Sequence, residues 1–437
     1  LEYGFVTEER SIFADVHKVP PATILEWHAK DSKLVTRRYW TPPEPALEKT
    51  IAFDAAVADT ERLLLAATER RLHADVPVGA LLSGGVDSAL VCWAIRACNG
   101  DVEAFTVGVP DSPADESQLA ARCAAQLGIK HHILPLRDNE PDELDTLVAA
   151  YAEPFASPSA LGMLRVSEAV AHANVKVLLT GDGGDDVFLG YPRHLMLSRI
   201  QQAARFIPPG VGPAWRAVRD SLPHESHLRR VVHLIDYATG GLGAFLSATD
   251  GLPDMQRRGF LGPRLEDVEV AARREPWSVD RARRVLLEYL PYDLRTQFVS
   301  EYLTKVDGAT MHYALEARSP FFDHEVWEYA AQLSIDTRLY RGRLKAVLRE
   351  IARRRIGDFV ADERKRGFTI PVEDWILGRW RSMVDRTFEN SLLHEQGWIR
   401  GAAVRDAVND ARDTRTARHL WHLLILERWL RGEAKNA

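Results

Sequence analysis

The sequence predicts an α/β fold: a doubly wound parallel sheet followed by a mostly helical region. Three observations carry that expectation. Apolar strand-like runs alternate with runs of helix formers between about residues 54 and 200. Two turns rich in glycine and acid each follow directly on such a run. Beyond Leu195 the strand signals fade and helical periodicity takes over. At 437 residues the chain has room for two or three domains of roughly 150 residues each. The divisions expected are 1–45, a tail and linker; 46–200, the α/β core; and 201–437, the helical part.

Residues 1–45 read as short β pieces around Ile12-Phe13, Ile24-Leu25, Leu34-Val35 and Tyr39-Trp40, closed by the proline-dense Thr41-Pro42-Pro43-Glu44-Pro45. They are too few to bury a core alone and need a neighbour. A chain that opens on Leu1 is expected to have lost or left out something upstream. Asp54 to His73 is helical, and Val76 to Leu82 is the first buried strand. Ala89 to Ala97 is a helix. Val102–Val109, His131–Leu136 and Val175–Thr180 are further strands, separated by helices at about Ser112–Leu127, Asp142–Tyr151 and Leu161–Ala173. Ser112-Pro113-Ala114-Asp115 supplies a cap, a proline at the first helical position and an acid in the first turn.

With 46% hydrophobic and 27% charged residues, the composition is that of a globular protein. The net charge of −6 gives no electrostatic reason to expect nucleic acid. No apolar run approaches the roughly 20 residues of a membrane span. The three cysteines, Cys92, Cys98 and Cys123, form no Cys-x-x-Cys pair, so zinc and disulfides are not expected and a cytoplasmic setting is.

The turn Ser83-Gly84-Gly85-Val86-Asp87-Ser88 joins strand to helix. The first amides of a helix lack intrahelical partners and face the positive end of its dipole, so phosphate is the ligand expected. Gly84 and Gly85 allow close backbone approach, and Ser83 and Ser88 add hydroxyls. A Gly-Gly pair alone would be an ordinary connection. Asp87 would repel phosphate unless Mg²⁺ bridges the two. The second turn, Gly181-Asp182-Gly183-Gly184-Asp185-Asp186, crowds three carboxylates that must share a cation or a proton. A Mg²⁺ held by Asp87 and Asp185 is the expected solution.

These two turns, with Phe105-Thr106-Val107-Gly108, Gly190-Tyr191, Lys305-Val306-Asp307, Leu315–His324 and Lys365-Arg366-Gly367-Phe368, resemble in order the synthetase part of glutamine-dependent asparagine synthetases, within the N-type ATP pyrophosphatase group. The resemblance implies an adenine nucleotide α-hydrolase-like sheet, with residues 1–40 similar to the tail of an N-terminal glutaminase domain. It implies ATP as substrate with Mg²⁺, a small carboxylate acceptor activated as an acyl-adenylate, and ammonia delivered from glutamine by that missing domain. By motif position, Ser83, Gly84, Gly85 and Ser88 hold pyrophosphate, Leu82, Val107 and Gly181 line adenine and ribose, and Asp87 and Asp185 bind metal. Asp182 takes the general-base position, and Lys365 the lysine that neutralises phosphate and the tetrahedral intermediate.

Two departures matter. The base position is usually Glu in asparagine synthetase proper, and Gly308 stands where the family tends to have Arg. Aspartate is the acceptor expected; the alternative is another carboxylate, as in surface-polysaccharide, β-lactam or lasso-peptide biosynthesis. A tRNA-modifying enzyme and a non-catalytic subunit fit less well. Oligomeric state stays open, a homodimer being one arrangement allowed.

Overall fold

Five short parallel strands form the sheet that positions everything else. In the computed structural model, which describes residues 1–7, 9–46, 51–108, 115–135, 143–219, 229–247, 251–266, 268, 276–363, 370–410 and 414–436, they are β3 (Val78–Leu81), β4 (Glu103–Gly108), β5 (His131–Pro135), β6 (Val177–Leu179) and β7 (Glu316–Arg318). Their order across the sheet is β5-β4-β3-β6-β7. Between β3 and β6 the winding reverses, which opens a crevice at the carboxyl ends of those two strands. Both glycine-and-acid turns begin there. The four expected strands are all present; β7 is an addition from the region expected to be helical.

Helices cover both faces, as near-continuous apolar strands require. Side chains alternate across the sheet. Ala80, Ala104, Val177 and Leu179 pack with helices α1 (Phe53–Leu72), α2 (Val86–Ala97), α3 (Ser117–Leu127) and Ala346–Arg355, while Phe105 and Leu178 pack with Val166 and Val170 of α5 (Pro158–His172). α4 (Glu143–Tyr151) and α5 lead into a third, largely helical core around Leu161, Trp380, Phe388 and Trp421. The division expected at residue 200 is therefore crossed: β7 and Ala346–Arg355 return from the second region to complete the sheet layer. The expected opening of α3 at Ser112 lies outside the described residues, but the helix begins only at Ser117, with Asp115 ahead of it rather than in its first turn.

The first 46 residues include the antiparallel pair β1 (Thr23–His28) and β2 (Lys33–Arg38). They lie against the rest of the chain through Trp40 Nε1 donating to Glu328 at 2.8 Å and Ala46 N donating to Ala331 O at 2.7 Å. Leu25, Trp27 and Leu34 of the pair stay exposed. No helix among the described residues is long and apolar enough to cross a membrane.

Asp323 ties the start of the helix His324–Gln332 to α1. It caps the helix His324–Gln332 by accepting from Glu325 N at 3.0 Å, and pairs with Arg70 at 2.9 Å and Arg71 at 2.8 Å while only 5% exposed. Burial would raise its pKa, but the hydrogen bonds from Arg71 and Arg70 outweigh that and hold it below the usual carboxylate range. A depressed folded pKa gives stability that is present above the unfolded value of about 3.9 and lost as pH falls through the folded one. Asp323→Asn is expected to destabilise the fold by about 2–3 kcal/mol at neutral pH, with the gap to the parent narrowing below about pH 4 in urea titrations.

Candidate functional site

Helix α2 starts at the crevice with Gly85 at its cap, which has no side chain to offer the amides that follow, an arrangement open to an anion; Gly85 N donates to Ser83 Oγ at 3.4 Å. Before it, Ser83 Oγ and Ser88 Oγ lie 3.0 Å apart, and Ser88 Oγ accepts from Ser83 N at 3.1 Å. Gly84 has φ +78°, and a Cβ there would sit 2.9 Å from Leu119, so both dihedral and space call for glycine. Ser83 is exposed at the mouth of the turn.

The second turn presses against the first. A Cβ on Gly181 would come within 2.6 Å of Ser88 N, and one on Gly184 within 2.5 Å of Asp87 Oδ1. The helical turn α6 (Gly184–Val187) carries Asp185, and Gly190 folds back so that its N donates to Asp185 O at 2.7 Å. A Cβ on Gly190 would reach 1.9 Å from Asp185 Oδ1. β7 supports the arrangement, with Thr180 N donating to Arg318 O at 2.9 Å and Ser319 Oγ to Asp182 O at 2.5 Å.

Asp87 and Asp185, taken from separate strand ends, meet as expected. The cation between them is Lys345: its Nζ lies 2.5 Å from Asp87 Oδ2 and 2.7 Å from Asp185 Oδ1, with its side chain 4% exposed. Burial would lower the lysine's pKa, but the two carboxylates outweigh that and raise it. Lys345 stands in the left-handed region, φ 52° and ψ 38°, at the head of Ala346–Arg355. Strain of that kind in a non-glycine residue persists where the surroundings hold it. The lysine was not singled out from sequence. The usable signal was that two buried acids need a cation, and that Lys345 is the lone lysine in the arginine-rich stretch 338–355.

The other expected residues fall as follows. Asp182 is half-buried beside the meeting point. Val107 is half-buried near the end of β4, whereas the Leu82 side chain is 1% exposed and sits in the core. Leu82 N donates to Phe105 O at 2.9 Å, and Leu82 O accepts from Thr106. Lys365 lies outside the described residues. Gly308, read as a change in acceptor recognition, is a packing requirement: a Cβ there would meet the Tyr151 ring at 2.5 Å. Tyr151 Oη donates to Lys305 O at 2.8 Å.

Behind the turn lies a second polar group. Burial, then the charge of Asp185, pushes Asp186 up to about 8, and Tyr191 Oη donates to it at 3.4 Å. Arg193 lies over the Tyr191 ring, donates to Tyr302 Oη at 3.1 Å and pairs with Asp293 at 3.4 Å.

The residues present fit a divalent ion. Two hard oxygen donors converge where one cation already sits, and glycine at 184 and 190 removes the Cβ atoms that would fill the cradle. Lys345→Met is expected to destabilise the metal-free protein by about 3–5 kcal/mol, because it leaves two buried carboxylates facing each other. Millimolar Mg²⁺ should recover more stability in this variant than in the parent, read by urea unfolding with and without chelator. Equal recovery in both would count against the cradle.

Comparison with known proteins gives a consistent picture. The family model described as asparagine synthase matches residues 59–431. The chain is 25% identical to the asparagine synthetase [glutamine-hydrolyzing] 1 of Bacillus subtilis, covering 98% of this chain and 67% of that one. It is 26% identical to a putative asparagine synthetase of Mycobacterium bovis, over 97% of this chain and 65% of that one. It is likewise 25% identical to Amidase chyE of Penicillium rubens, over 92% of this chain and 66% of that one. The chain thus spans about two thirds of the length of these curated relatives.

Proposed function

Because the chain belongs to the asparagine synthase family, we propose that it is the synthetase part of an ATP-dependent, amide-forming ligase that joins ammonia to an activated carboxylate, with aspartate to asparagine as the reaction. The observation that supports this best is the meeting of two acid-and-glycine corners over an uncapped helix start at the switch point of a parallel sheet.

Ser83, Gly84, Gly85 and Ser88 hold the pyrophosphate portion of ATP with amides and hydroxyls. Asp87 and Asp185 would hold Mg²⁺, which when bound would screen these carboxylates from the phosphates and spread the charge of departing pyrophosphate. Lys345 fixes a positive charge at the same point. Val107 and Gly181 border adenine and ribose, with Leu82 contributing backbone. An oxygen of the acceptor carboxylate attacks the α-phosphorus, the bond to pyrophosphate breaks, and an acyl-adenylate forms. Ammonia then attacks the acyl carbon and AMP leaves with the electron pair. Asp182 takes the proton released by the nitrogen. Lys365 neutralises the tetrahedral intermediate. Ammonia comes from glutamine hydrolysed by an additional domain, in keeping with the length of the relatives.

A second reading keeps the chemistry and changes the acceptor. Asp182 in place of the longer acid favours it, as does the Tyr151 ring filling the space beside Gly308.

The test supplies free ammonium so that no glutaminase is needed. Pyrophosphate release is expected only with ATP, Mg²⁺ and aspartate, with asparagine formed in equal amount. Asp182→Ala should lower amide formation by about 10²–10⁴-fold while aspartate-dependent ATP–pyrophosphate exchange survives. Asp87→Asn should abolish both. Release with a different carboxylic acid and none with aspartate would replace the first reading by the second. No release with any acid would end both.

A further inference from the structure

We propose that Arg338 is a positioning residue for the metal-binding turn, gripping the backbone behind Asp185 and so setting where that carboxylate is presented. The inference rests on reading Asp185 as a ligand of the cation that accompanies ATP.

Arg338 ends the four-residue helix Ile335–Arg338 and is 4% exposed. Its Nη1 donates to Val187 O at 3.3 Å. That carbonyl closes α6, the same short turn that carries Asp185. Past it the backbone leaves helical geometry. Leu189 is fully buried with φ +58°, and Gly190 returns to bond Asp185 O. A buried leucine in the left-handed region is strained, and something must hold it there. Arg338 bonds the carbonyl two residues before the strain begins, and a cation suits the carbonyl end of a turn of helix.

The energetics point away from a role in stability. Nε and Nη2 of Arg338 are buried without a hydrogen-bond partner, and no carboxylate pairs with the guanidinium among the described residues. Burial pushes its pKa down to about 10. A buried cation with a single hydrogen bond destabilises a fold, and an apolar side chain of similar length would do better. What such a side chain could not do is hold Val187 O. Lys345, seven residues on, holds the carboxylate of the same turn. One segment therefore clamps Asp185 from two sides, by backbone through Arg338 and by side chain through Lys345.

The test compares the parent with Arg338→Met, Arg338→Lys and Asp185→Asn. Calorimetry measures the affinity for ATP with Mg²⁺ and with chelator, no acceptor being present, and thermal unfolding is followed in parallel. The quantity of interest is the gain in affinity that Mg²⁺ confers. Asp185→Asn should remove it. Arg338→Met should cut it by roughly tenfold or more while metal-free ATP binds as in the parent and the melting temperature is unchanged or higher. Arg338→Lys, with one donor able to reach the carbonyl, should fall between. Equal weakening of ATP with and without metal would show general damage and overturn the proposal, as would a gain equal to the parent's. If Arg338→Met does not fold, Arg338→Lys decides: a reduced gain sustains the proposal and a parental gain overturns it. A parental gain in Asp185→Asn would refute the premise, and the proposal with it, separately from any result at position 338.

Discussion

The ammonium of Lys345, held between Asp87 and Asp185, is the constraint on which the site depends. Lys345 and Asp87 are 258 positions apart, and the second carboxylate comes from a different strand end. Satisfying one buried cation with two carboxylates therefore requires β3, β6 and the head of Ala346–Arg355 to converge to within hydrogen-bond distance. A triad of this kind contributes little net stability against an apolar equivalent, but removing any one member leaves an uncompensated buried charge. The closure is accordingly specific. The glycines at 181, 184 and 190 are its steric counterpart, since each occupies a place where a Cβ would collide with the opposite turn or with the carboxylate itself.

Much of this was legible in the sequence, for local reasons. Buried parallel strands announce themselves as apolar runs, and β3, β4 and β6 are legible that way. Turns that need unusual dihedrals or close backbone approach require glycine whatever the tertiary context, and so both corners were visible. β7 was not, because Glu316-Ala317-Arg318 is short and carries two charges, with none of the periodicity of a core strand. It is an edge strand, defined by its partner β6 rather than by its own residues. Lys345 was hidden for a related reason. Apart from its being the lone lysine there, nothing local separates it from Arg341, Arg343, Arg349 or the run Arg353-Arg354-Arg355, whose members pair with Asp358, Asp54 and Glu61 at the surface. Only the meeting of the two acids singles it out. Gly308 was visible as a departure, but the Tyr151 ring that packs against it was not, since that contact joins residues far apart in the chain.

The crowding of acids in the second turn can now be understood without appeal to a single shared ion. Asp182, Asp185 and Asp186 lie within five residues, yet the structure separates their environments. Asp185 faces Lys345. Asp186 turns toward Tyr191 and, lacking a cation as near, is pushed up to about 8 by burial and by the charges of Asp185 and Asp293. Asp182 stays half-buried at the mouth. Neighbouring side chains can thus set one carboxylate against a lysine, press the next toward the neutral form, and leave a third half-buried just before the helical turn. Like charges so close lower their mutual energy by this kind of inequality. It also gives the turn a direction: the Asp185 carboxylate faces Lys345, and the Asp186 carboxyl, pressed toward neutrality, faces Tyr191 of the tyrosine-and-arginine cluster behind.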